Sequence, residues 1–530
     1  MFSTVISGAL LGIDSTLIRV ETDISSGLPG LDMVGYLGSE VREAGKRVRV
    51  AMRNCGFQIP VSRITVSFAP ADLPKRGVVA DLPVAIGILI CMQVLHQSDL
   101  EDILVAGELG LDGEVRSIRG ILPLVRQAKQ EGIRTCIIPA ENLNEGAVIQ
   151  GIRVVGVQTL SQAVAYLSAP PAGRDRLLPP GHVDLEALFR KGQEEINVDF
   201  SDIHGQETAK RVLEIAAAGF HNTLLSGPPG SGKSMLARRM PGILPPLTQE
   251  ESMEVTSIYS VAGRLPPGRA LITERPFLAP HHTITRQALV GGGTIPQPGI
   301  ISLAHRSVLF LDELPEFGRE IIDLLRQPLE DHQVTISRSS GSVTYPSRFL
   351  LLAAMNNCPC GFYPDLTRCT CSPGKIRKYL GRISGPILDR IDLCTEVPEI
   401  DPMLMIAPAE AESSRQIRER VSRAIGIQKE RFRDTSFLFN ADMDARAVEQ
   451  FCPLDSEESA FILKVFEKYR FSVRTYHHIL KTARTIADLD ESPEIRIPHL
   501  AEAVRYRTAE RGFLREPGKT EGHIYGRPQY

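Results

Sequence analysis

One glycine-containing loop limits the folds available to this chain more than any other feature. The stretch TLLSGPPGSGKSMLARRM contains the pattern G-x-x-x-x-G-K-S, with an apolar run before it and an amphipathic segment after it. A strand, this loop and a helix in that order form a P-loop, in which backbone N–H groups and the helix N-terminus surround phosphate groups. The loop residues are Gly227, Pro228, Pro229, Gly230, Ser231, Gly232, Lys233 and Ser234. The pattern predicts an α/β fold in which Lys233 contacts the β- and γ-phosphates and Ser234 binds Mg²⁺.

A second motif, SVLFLDEL, carries two carboxylates at the end of a predicted buried strand. Ligands bind at the carboxyl ends of the strands in open α/β sheets. We expect Asp312 to hold Mg²⁺ and Glu313 to orient and polarise the attacking water. An Asp-Glu pair after an apolar run is ordinarily a solvated strand end, and it gains specificity here because it follows a P-loop. Together the two motifs predict hydrolysis of a nucleoside triphosphate, which depends on positioning and charge neutralisation.

Three further residues are candidates for sensing the γ-phosphate. LLLAAMNN ends an apolar strand at Asn356, which we expect to contact the γ-phosphate or its attacking water. ISGPILDRIDL places Arg390 on a turn between apolar runs, from which it could reach the nucleotide of a neighbouring subunit. Arg474 opens the helical stretch FSVRTYHHILKTARTIADL and could fold back onto the phosphates. The chain has 60 Lys and Arg residues, so a surface ion pair is the alternative for each arginine.

The order of strand-like and helix-like segments divides the 530-residue chain into blocks. Strands and helices alternate in the first block and again around the P-loop, which predicts two α/β domains, the second with a mainly parallel sheet. Between them the proline-rich SAPPAGRDRLLPPGH predicts a linker without a packed core. Helical periodicity after the second domain predicts an all-α lid. The predicted boundaries are 1–167 for the first domain, 168–198 for the linker, 199–400 for the nucleotide-binding domain, 401–518 for the lid and 519–530 for a frayed tail.

Composition excludes several classes of protein. The chain is 43% hydrophobic and 23% charged, as globular proteins are. Its longest apolar run, Leu82 to Leu95, is too short for a membrane span and contains Pro83, and the N-terminal stretch lacks the charged region of a signal peptide. We therefore expect a cytoplasmic protein without membrane contact. A net charge of −3 provides no general attraction to nucleic acid, so polyanion binding would depend on local patches.

Four of the nine cysteines form two Cys-x-Cys pairs in NNCPCGFYPDLTRCTCSP. They are Cys358, Cys360, Cys369 and Cys371, directly after the Asn356 strand. Four thiolates on one loop can hold a structural Zn²⁺, although two to four residues usually separate paired ligands. Uncoordinated thiols are the alternative, and a disulfide is disfavoured in the cytosol. We interpret the loop as a Zn²⁺ site that braces the segment after Asn356.

Longer stretches resemble AAA+ ATPases, and more narrowly the magnesium-chelatase-like YifB/ComM family. The resemblance rests on KRGVVADLPVAIGIL, VAGELGLDGEVRSIRG, LAPHHTIT, VGGGTIPQPGIISLAHRSVLFLDELPEF, LLLAAMNNCPCGFY, ISGPILDRIDL and VRTYHHILKTARTIADL, and it covers nearly the whole chain. It implies ATP as the nucleotide and a ring of subunits, expected to be a hexamer, with ATP between subunits. It also implies that Asn356 and Arg474 are the two sensors and that Arg390 acts on the nucleotide of the adjacent subunit.

The resemblance further implies a hairpin inserted in the nucleotide-binding domain. The alternating pattern of DHQVTISRSSGSVTYPSR fits one, with strands at Val334–Arg338 and Val343–Tyr345 and SSGS as the turn. In a ring the hairpin would point into the central channel, where Arg338 and nearby hydroxyls could contact a nucleic-acid backbone. His281 and His282 of LAPHHTIT have no carboxylate at a metal-binding spacing, so we expect them to contact substrate or a neighbouring subunit.

The first domain resembles the proteolytic domain of Lon-type proteases. That activity needs a serine nucleophile activated by a lysine. No serine occurs between Ala69 and Gln97, where the resemblance places the nucleophile, and Leu122 stands where it places the lysine. We therefore expect the fold without peptidase activity.

Four functions are open for the predicted ATPase. The first is a DNA motor for branch migration of recombination intermediates during uptake of foreign DNA, as in ComM-like proteins. The alternatives are a magnesium-chelatase-type motor acting on a protein or metal-insertion partner, which the Lon-like domain disfavours, an ATP-dependent protease, and a scaffold that uses ATP only for assembly. Two basic clusters favour DNA, although solvated helix faces would explain them equally well. Their members are Lys375, Arg377, Lys378, Arg382 and Arg390, set against Asp389, in the first cluster and Arg505, Arg507, Arg511 and Arg515 in the second.

Overall fold

The computed structural model describes residues 1–73, 75, 79–194, 198–338, 341–399 and 411–513. These residues form two α/β regions followed by a helical region, as the sequence predicts. The turn at residues 339–340, the predicted boundary at 400–401 and the predicted tail lie outside the described residues.

The first region is built on a seven-stranded mixed sheet. The strands of this region are β1 (Phe2–Leu11), β2 (Asp14–Ser25), β3 (Gly30–Val34), β4 (Arg63–Ala69), β5 (Ile103–Val105), β6 (Glu108–Leu109), β7 (Val115–Arg116), β8 (Thr135–Pro139) and β9 (Arg153–Val157). Its helices are α1 (Ser39–Asn54), α2 (Asp81–Cys91), α3 (Ile121–Gln130), α4 (Leu143–Ala147), α5 (Leu160–Ser168), α6 (Pro171–Leu177) and α7 (Leu185–Glu194). The sheet order is β3-β4-β2-β1-β5-β8-β9, and β6 and β7 form a separate hairpin.

Helix α2 lies at the centre of this region because its sequence, DLPVAIGILIC, is apolar on every side. Its one charged residue, Asp81, is fully buried and accepts hydrogen bonds of 2.8 and 3.0 Å from Arg47 and of 3.2 Å from the Leu109 amide. Leu122, which occupies the position predicted to correspond to the protease lysine, is 1% exposed within the apolar core.

The predicted linker contains α6 and α7 and is packed on the first region. Pro171 takes the first position of α6, where its missing N–H is not needed. Leu188 and Phe189 of α7 pack against the core of the first region, and the Gly181 amide donates 2.8 Å to the Val154 carbonyl. The many prolines of this segment predict an unpacked linker, but its apolar residues pack against the first region. The prediction of a linker without a packed core is therefore wrong for α7.

The second region contains a five-stranded parallel sheet. The strands are β10 (Thr223–Ser226), β11 (Phe277–Leu278), β12 (Gly291–Gly292), β13 (Gln297–Pro298), β14 (Val308–Leu311), β15 (Gln333–Arg338), β16 (Gly341–Pro346), β17 (Leu350–Met355) and β18 (Leu393–Glu396). The helices are α8 (Glu207–Gly219), α9 (Lys233–Arg238), α10 (Met240–Ile243), α11 (Gln249–Val261), α12 (Arg286–Val290), α13 (Ile300–Leu303), α14 (Arg319–Asp323), α15 (Arg326–Asp331), α16 (Pro373–Leu380) and α17 (Gly385–Leu388). The sheet order is β11-β14-β17-β10-β18, while β12–β13 and β15–β16 form two hairpins outside it.

The third region is helical. Its helices are α18 (Ser414–Arg431), α19 (Ala445–Phe451), α20 (Ser456–Tyr469), α21 (Val473–Leu489) and α22 (Ile497–Phe513). Apolar residues of α18, α21 and α22 join the core that surrounds α8, and Phe439 stacks on Phe220 at a ring distance of 4.7 Å. None of the helices in the described ranges combines the length and apolar character that a membrane span requires.

Two of the contacts between the first and second regions involve the β15–β16 hairpin and α11. The turn between β1 and β2 lies against the β15–β16 hairpin, because Ile13 joins the hairpin's apolar cluster and a Cβ atom on Gly12 would lie 2.6 Å from Val343. Helix α3 packs against α11, where the Ser260 hydroxyl donates 2.5 Å to the buried Glu145 carboxylate. The first region is thus attached to the β15–β16 hairpin and to α11.

Candidate nucleotide-binding site

Three sequence motifs meet at the carboxyl ends of the strands in the five-stranded sheet. The P-loop follows β10, Asp312 and Glu313 follow β14, and Asn356 follows β17. These strands are adjacent and parallel, so their carboxyl ends lie side by side. All three strands are fully buried, as continuous apolar runs in a parallel sheet require.

The P-loop is closed around its own lysine. The Lys233 Nζ atom donates 2.8 Å to the Gly227 and Pro228 carbonyls and 3.1 Å to Asn356 Oδ1. Gly232, with φ of +90°, has a left-handed backbone that a larger residue would strain, and α9 begins at the next residue. Burial lowers the pKa of Lys233, and nearby carboxylates oppose that shift. The amine therefore lies where the loop would surround a phosphate.

Ser234 and Asp312 are joined directly. The Ser234 hydroxyl donates 2.6 Å to Asp312 Oδ2. A hydroxyl and a carboxylate at this distance are hard oxygen ligands of the type that Mg²⁺ uses alongside substrate phosphates and water. The residues present therefore fit a Mg²⁺ ion that arrives with a nucleotide.

Glu313 has a left-handed backbone with φ of +53°, and its amide donates 3.0 Å to Asp312 Oδ1. Its carboxylate is 55% exposed and faces the nearby His282, whose Nδ1 lies 3.7 Å from Glu313 Oε2. This contact lies on the β11 side of Glu313. It was not predicted from the sequence, where the two residues are far apart.

A cavity of about 430 Å³ beside the P-loop was also not predicted from the sequence. Gln206 lines it and donates 2.7 Å to the Pro398 carbonyl and 3.4 Å to the Ser231 carbonyl. Because these bonds use the amide nitrogen, Gln206 Oε1 is left buried without a partner among the described residues. A nucleoside base next to the P-loop could supply the missing donor. The feature of the sequence that could have pointed to this cavity is the Gly205-Gln206 pair before α8. In the structure these two residues form a turn with φ of +69° and +59°.

Arg390 and Arg474 lie at the opposite end of the sheet from the P-loop. Arg390 precedes β18, and its carbonyl accepts a 3.0 Å hydrogen bond from Asn222, which precedes β10. The guanidinium of Arg390 binds Glu330, and Arg474 donates 3.2 Å to the same carboxylate. Four residues of β10 separate this end from the P-loop, about 13 Å at the rise of a strand. Arg474, expected as a sensor folding onto the phosphates, is therefore not brought to the P-loop of its own subunit.

The position of Arg474 follows from how the helical region is attached. His478, one turn further along α21, binds the buried Asp392 beside β18. Burial acts to raise the pKa of Asp392, but the adjacent imidazoles of His478 and His221 outweigh it and hold that pKa well below its usual range. The lid is thereby anchored at the amino ends of the strands, and Arg474 is placed beside Arg390.

The four cysteines are brought together. Sulfur–sulfur distances are 3.3 Å for Cys358–Cys360, 3.8 Å for Cys358–Cys369 and 3.6 Å for Cys360–Cys369, and all four sulfurs, including Cys371, lie within 4.8 Å of one another. A tetrahedral Zn²⁺ with Zn–S distances of about 2.3 Å requires sulfur separations of about 3.8 Å. The donor set therefore fits Zn²⁺.

The cysteine loop also touches the P-loop. A Cβ atom on Gly361 would lie 2.3 Å from Pro229 Cδ, so the two backbones are in close contact. Asn357 binds Ser226 at the end of β10. The loop thus supports the phosphate-binding loop from one side, in addition to joining Asn356 to the segment that follows.

Only part of the predicted basic surface is accessible. Lys375, Arg377 and Lys378 are exposed on α16, and the partly exposed Arg382 donates 2.6 Å to Glu316. Arg507 is 5% exposed and donates 3.3 Å to the Leu388 carbonyl, so it anchors α22 and is unavailable to DNA. Arg505 lines the cavity beside the P-loop. The side chains of Arg511 and Arg515 lie outside the described residues.

Comparison with known families accounts for most of the chain. The family described as magnesium chelatase, subunit ChlI, matches residues 199–405, its C-terminal part matches 411–507, and a related description, subunit ChlI of Mg-chelatase, matches 20–142. Lon protease 2 of Bacillus subtilis is 25% identical over 192 residues, which are 34% of this chain and 33% of that protein.

Several relatives match over nearly their whole length, and two of them illustrate the likeness. Competence protein ComM of Haemophilus influenzae is 44% identical over 505 residues, covering 95% of this chain and 97% of that protein. The uncharacterized protein YifB of Escherichia coli is 42% identical over 511 residues, covering 96% and 97% respectively. With a P-loop, two strand-end carboxylates and a parallel sheet in the same chain, the protein belongs to the ComM/YifB-type family of magnesium-chelatase-like AAA+ ATPases.

Proposed function

We propose that this protein is a ring-forming AAA+ ATPase that couples ATP hydrolysis to DNA remodelling, by branch migration or helicase activity on recombination intermediates. The observation that carries the proposal is the polar face of the β15–β16 hairpin. The similarity to a relative named competence protein ComM also supports the proposal.

The hairpin has two different faces. Val334, Ile336, Val343 and Tyr345 are buried against the body of the protein. The other face presents paired hydroxyls, with Thr335 Oγ1 3.1 Å from Thr344 Oγ1 and Ser337 Oγ 3.0 Å from Ser342 Oγ. Arg338 is exposed at the far end.

Hydroxyls and an arginine on an extended ribbon suit a nucleic-acid backbone. Hydroxyl side chains donate to phosphate oxygens without reading the base sequence, which a motor moving along DNA requires. The exposed cations of α16 add an electrostatic, salt-dependent contribution despite the net charge of −3.

We assign ATP hydrolysis to the residues that follow the carboxyl ends of β10, β14 and β17. Lys233 would exchange its carbonyl partners for the β- and γ-phosphates, and Ser234 and Asp312 would hold Mg²⁺. Asn356, already within 3.1 Å of Lys233, would contact the γ-phosphate or its water. Glu313 would orient that water for in-line attack.

Arg390 and Arg474 would act on the nucleotide of the adjacent subunit. Both lie at the amino end of the sheet, where their own P-loop is out of reach, and both are held by Glu330. A ring that brings this end against the neighbour's P-loop would supply two positive charges to one transition state. A hexamer is the assembly we propose.

The cysteine loop would hold one Zn²⁺ through Cys358, Cys360, Cys369 and Cys371. A closed site with four thiolates has no open position for substrate, so the ion would serve to fix the loop. Metal analysis of purified protein should give one zinc per chain. Cys358→Ser should lose it, whereas Cys452→Ser, a buried cysteine elsewhere, should retain it. Zinc absent from the wild type contradicts this assignment.

The DNA proposal is tested by gel shift and by ATP hydrolysis with and without forked DNA at two salt concentrations. The wild type should bind DNA and be stimulated by it, more strongly at low salt. A hydrogen bond contributes about 0.5–1.5 kcal/mol, so loss of one hydroxyl–phosphate contact should weaken DNA binding about two- to twelve-fold. Ser337→Ala and Thr335→Ala should show this loss. Thr16→Ala, an exposed strand threonine in the first region, serves as control.

Neither a gel shift nor stimulation of the wild type at low salt would refute DNA as the substrate. A wild type that hydrolyses no ATP under any condition would refute the enzyme assignment as well. These two failures are distinct, because basal hydrolysis is measured without DNA.

A further inference from the structure

The helical region carries an apolar groove of about 310 Å³ that has no role in the site described above. The groove is lined by Ser459, Ile462, Leu463 and Phe466 of α20 and by Val473 and Tyr476 of α21. The α20 residues follow the i, i+3, i+4, i+7 spacing of one helical face. One face of α20 and the first turn of α21 therefore form the walls of the groove.

The groove presents apolar side chains to solvent. Leu463 is 63% exposed and Val473 is 70% exposed. Aromatic rings hold the groove in shape, because the Phe466 ring lies edge-on to Tyr476 at a centroid distance of 5.6 Å and to Phe471 at 5.9 Å. Neighbouring exposed apolar side chains around a preformed groove are typical of an interaction site.

A second exposed apolar side chain projects from the cysteine loop. Leu366 is 79% exposed and lies between the two cysteine pairs. A compact turn presents it: the Asp365 carboxylate accepts 2.9 Å from the Thr367 amide and 2.6 Å from its hydroxyl, and the Cys369 amide donates 2.8 Å to the Asp365 carbonyl. The hydrogen bonds of this turn therefore hold the backbone from which Leu366 projects.

The groove and Leu366 lie at opposite ends of the parallel sheet. Val473 directly precedes Arg474, which binds Glu330 at the amino ends of the strands. The cysteine loop follows β17 at the carboxyl ends and contacts the P-loop at Pro229. A groove at one end of a molecule and a projecting side chain at the other can pair between copies that pack head to tail, and such an arrangement closes into a ring.

Head-to-tail packing also matches the two parts of the proposed ATP site. If Arg474 reaches the P-loop of a neighbouring subunit, Val473 is carried towards the cysteine loop beside that P-loop. The charges around the two surfaces are complementary as well. Asp365 is exposed next to Leu366, and the exposed Lys464 and Arg474 directly follow Leu463 and Val473 in the chain. Opposite charges at these positions favour the contact and its orientation.

We infer that Leu366 of one copy of this chain inserts into the α20–α21 groove of the next copy. The contact fixes the distance between the P-loop of one subunit and Arg474 of its neighbour. It also gives the cysteine loop a second task, since the turn between the cysteine pairs carries the inserted side chain. The inference deepens the proposed function and rests on it for one point, that the subunits form a ring.

The first test measures assembly of the full-length protein by sedimentation velocity with a non-hydrolysable ATP analogue. Leu366→Ala and Leu463→Ala should each raise the protein concentration at half-assembly about five- to thirty-fold, the effect expected when a leucine loses most of its buried side chain. The double variant should lose less than the product of the two single losses, because both changes remove one contact. Leu28→Ala, at a leucine 89% exposed in the first region, is the control and should assemble as the wild type does.

The second test identifies what occupies the groove. A photoreactive benzophenone side chain replaces Val473, and the protein is irradiated as an equal mixture of ¹⁵N-labelled and unlabelled chains. Mass spectrometry should show cross-links between differently labelled chains that end in the tryptic peptide 349–368, which contains Leu366. A cross-link that ends instead in residues 514–530, or in any other peptide, shows a different occupant and overturns the inference.

Failure of this inference and failure of the ring proposal give different results. If the wild type assembles and both Leu366→Ala and Leu463→Ala assemble equally well, the inference is overturned while the ring proposal stands. A wild type that stays monomeric with the ATP analogue at every concentration refutes the ring, and the inference with it. Thermal melts should be unchanged in both variants, because both side chains are largely exposed within one chain. The cross-link decides the occupant of the groove independently of stability.

Discussion

Gly361→Ala is the substitution that tests most directly whether the cysteine loop supports the P-loop. Gly361 has φ of +88°, and a Cβ atom there would lie 2.3 Å from Cδ and 2.5 Å from Cγ of Pro229. The pyrrolidine ring is part of the P-loop backbone, so it cannot rotate away as a flexible side chain would. To reach an ordinary contact of 3.4 Å, Pro229 would have to move by about 1 Å.

Two costs add at this position. An alanine in the left-handed region costs roughly 1–2 kcal/mol. Relief of the clash costs more, because the P-loop must leave the geometry that receives phosphate. If 1–2 kcal/mol is expressed as weaker nucleotide binding, ATP affinity falls about five- to thirty-fold. Catalysis should fall further, since a displacement of about 1 Å can cost about 10²-fold in rate.

The assay is titration with a fluorescent ATP analogue, followed by measurement of KM and kcat. Gly374→Ala on α16 is the matched control, because a Cβ atom there meets nothing within 4 Å. A thermal melt separates loss of fold from loss of binding. If Gly361→Ala melts earlier but binds ATP within two-fold of the wild type, the loop stabilises the fold without supporting the P-loop, and the argument is refuted.

Three further predictions concern hydrolysis and acid stability. Glu313→Gln should retain ATP binding while kcat falls about 10²-fold or more, as measured by filter binding and phosphate release; persistent hydrolysis would contradict its assigned role. Arg474→Ala and Lys233→Ala should each be inactive alone and recover activity when mixed, because each supplies what the other lacks across a subunit boundary; a mixture no faster than the sum would place Arg474 in its own subunit's site. A hydrogen bond from His305, opposed by burial and aided by Arg306, lowers the pKa of Glu254 to about 2. The folded-state pKa lies below the unfolded value of about 4.3, so this stabilisation is present above that pH and is lost as the pH falls towards 2. Acid melts of Glu254→Gln should therefore be flatter than those of the wild type over that range, and parallel melts would contradict the linkage.

The parts of the site that local chemistry determines were predictable from the sequence. A P-loop needs its glycines, Lys233 and Ser234 in one continuous stretch, and Asp312 must end a buried strand, so spacing and apolar runs suffice to place them. The fold class follows from the same alternation of strands and helices. The structure brings Asn356 to Lys233 because β17 lies beside β10, an adjacency that the sequence permits but does not require.

The parts that depend on docking between distant segments were not predictable. Arg474 faces the amino end of the sheet because His478 binds Asp392, two residues 86 positions apart. The contact of His282 with Glu313 depends on which strand is adjacent to β14. Gln206 belongs to no motif with a chemical requirement that spacing alone reveals. In each case the deciding interaction joins residues whose separation leaves no periodic pattern.

In the proposed ring, Glu330 would hold Arg390 and Arg474 in place at a subunit boundary while no nucleotide is bound there. Arg390 is 9% exposed, and an unpaired guanidinium at that depth would be costly, so Glu330 compensates its charge within the same subunit. Arg474 shares that carboxylate while remaining 45% exposed. One carboxylate facing two guanidiniums leaves this cluster of three side chains with a net positive charge. The triphosphate of a neighbouring subunit carries more negative charge than Glu330 and can draw Arg474 first, since Arg474 is the more exposed of the two. The pairing with Glu330 that compensates Arg390 within one chain therefore leaves Arg474 available for the proposed role in a neighbouring site.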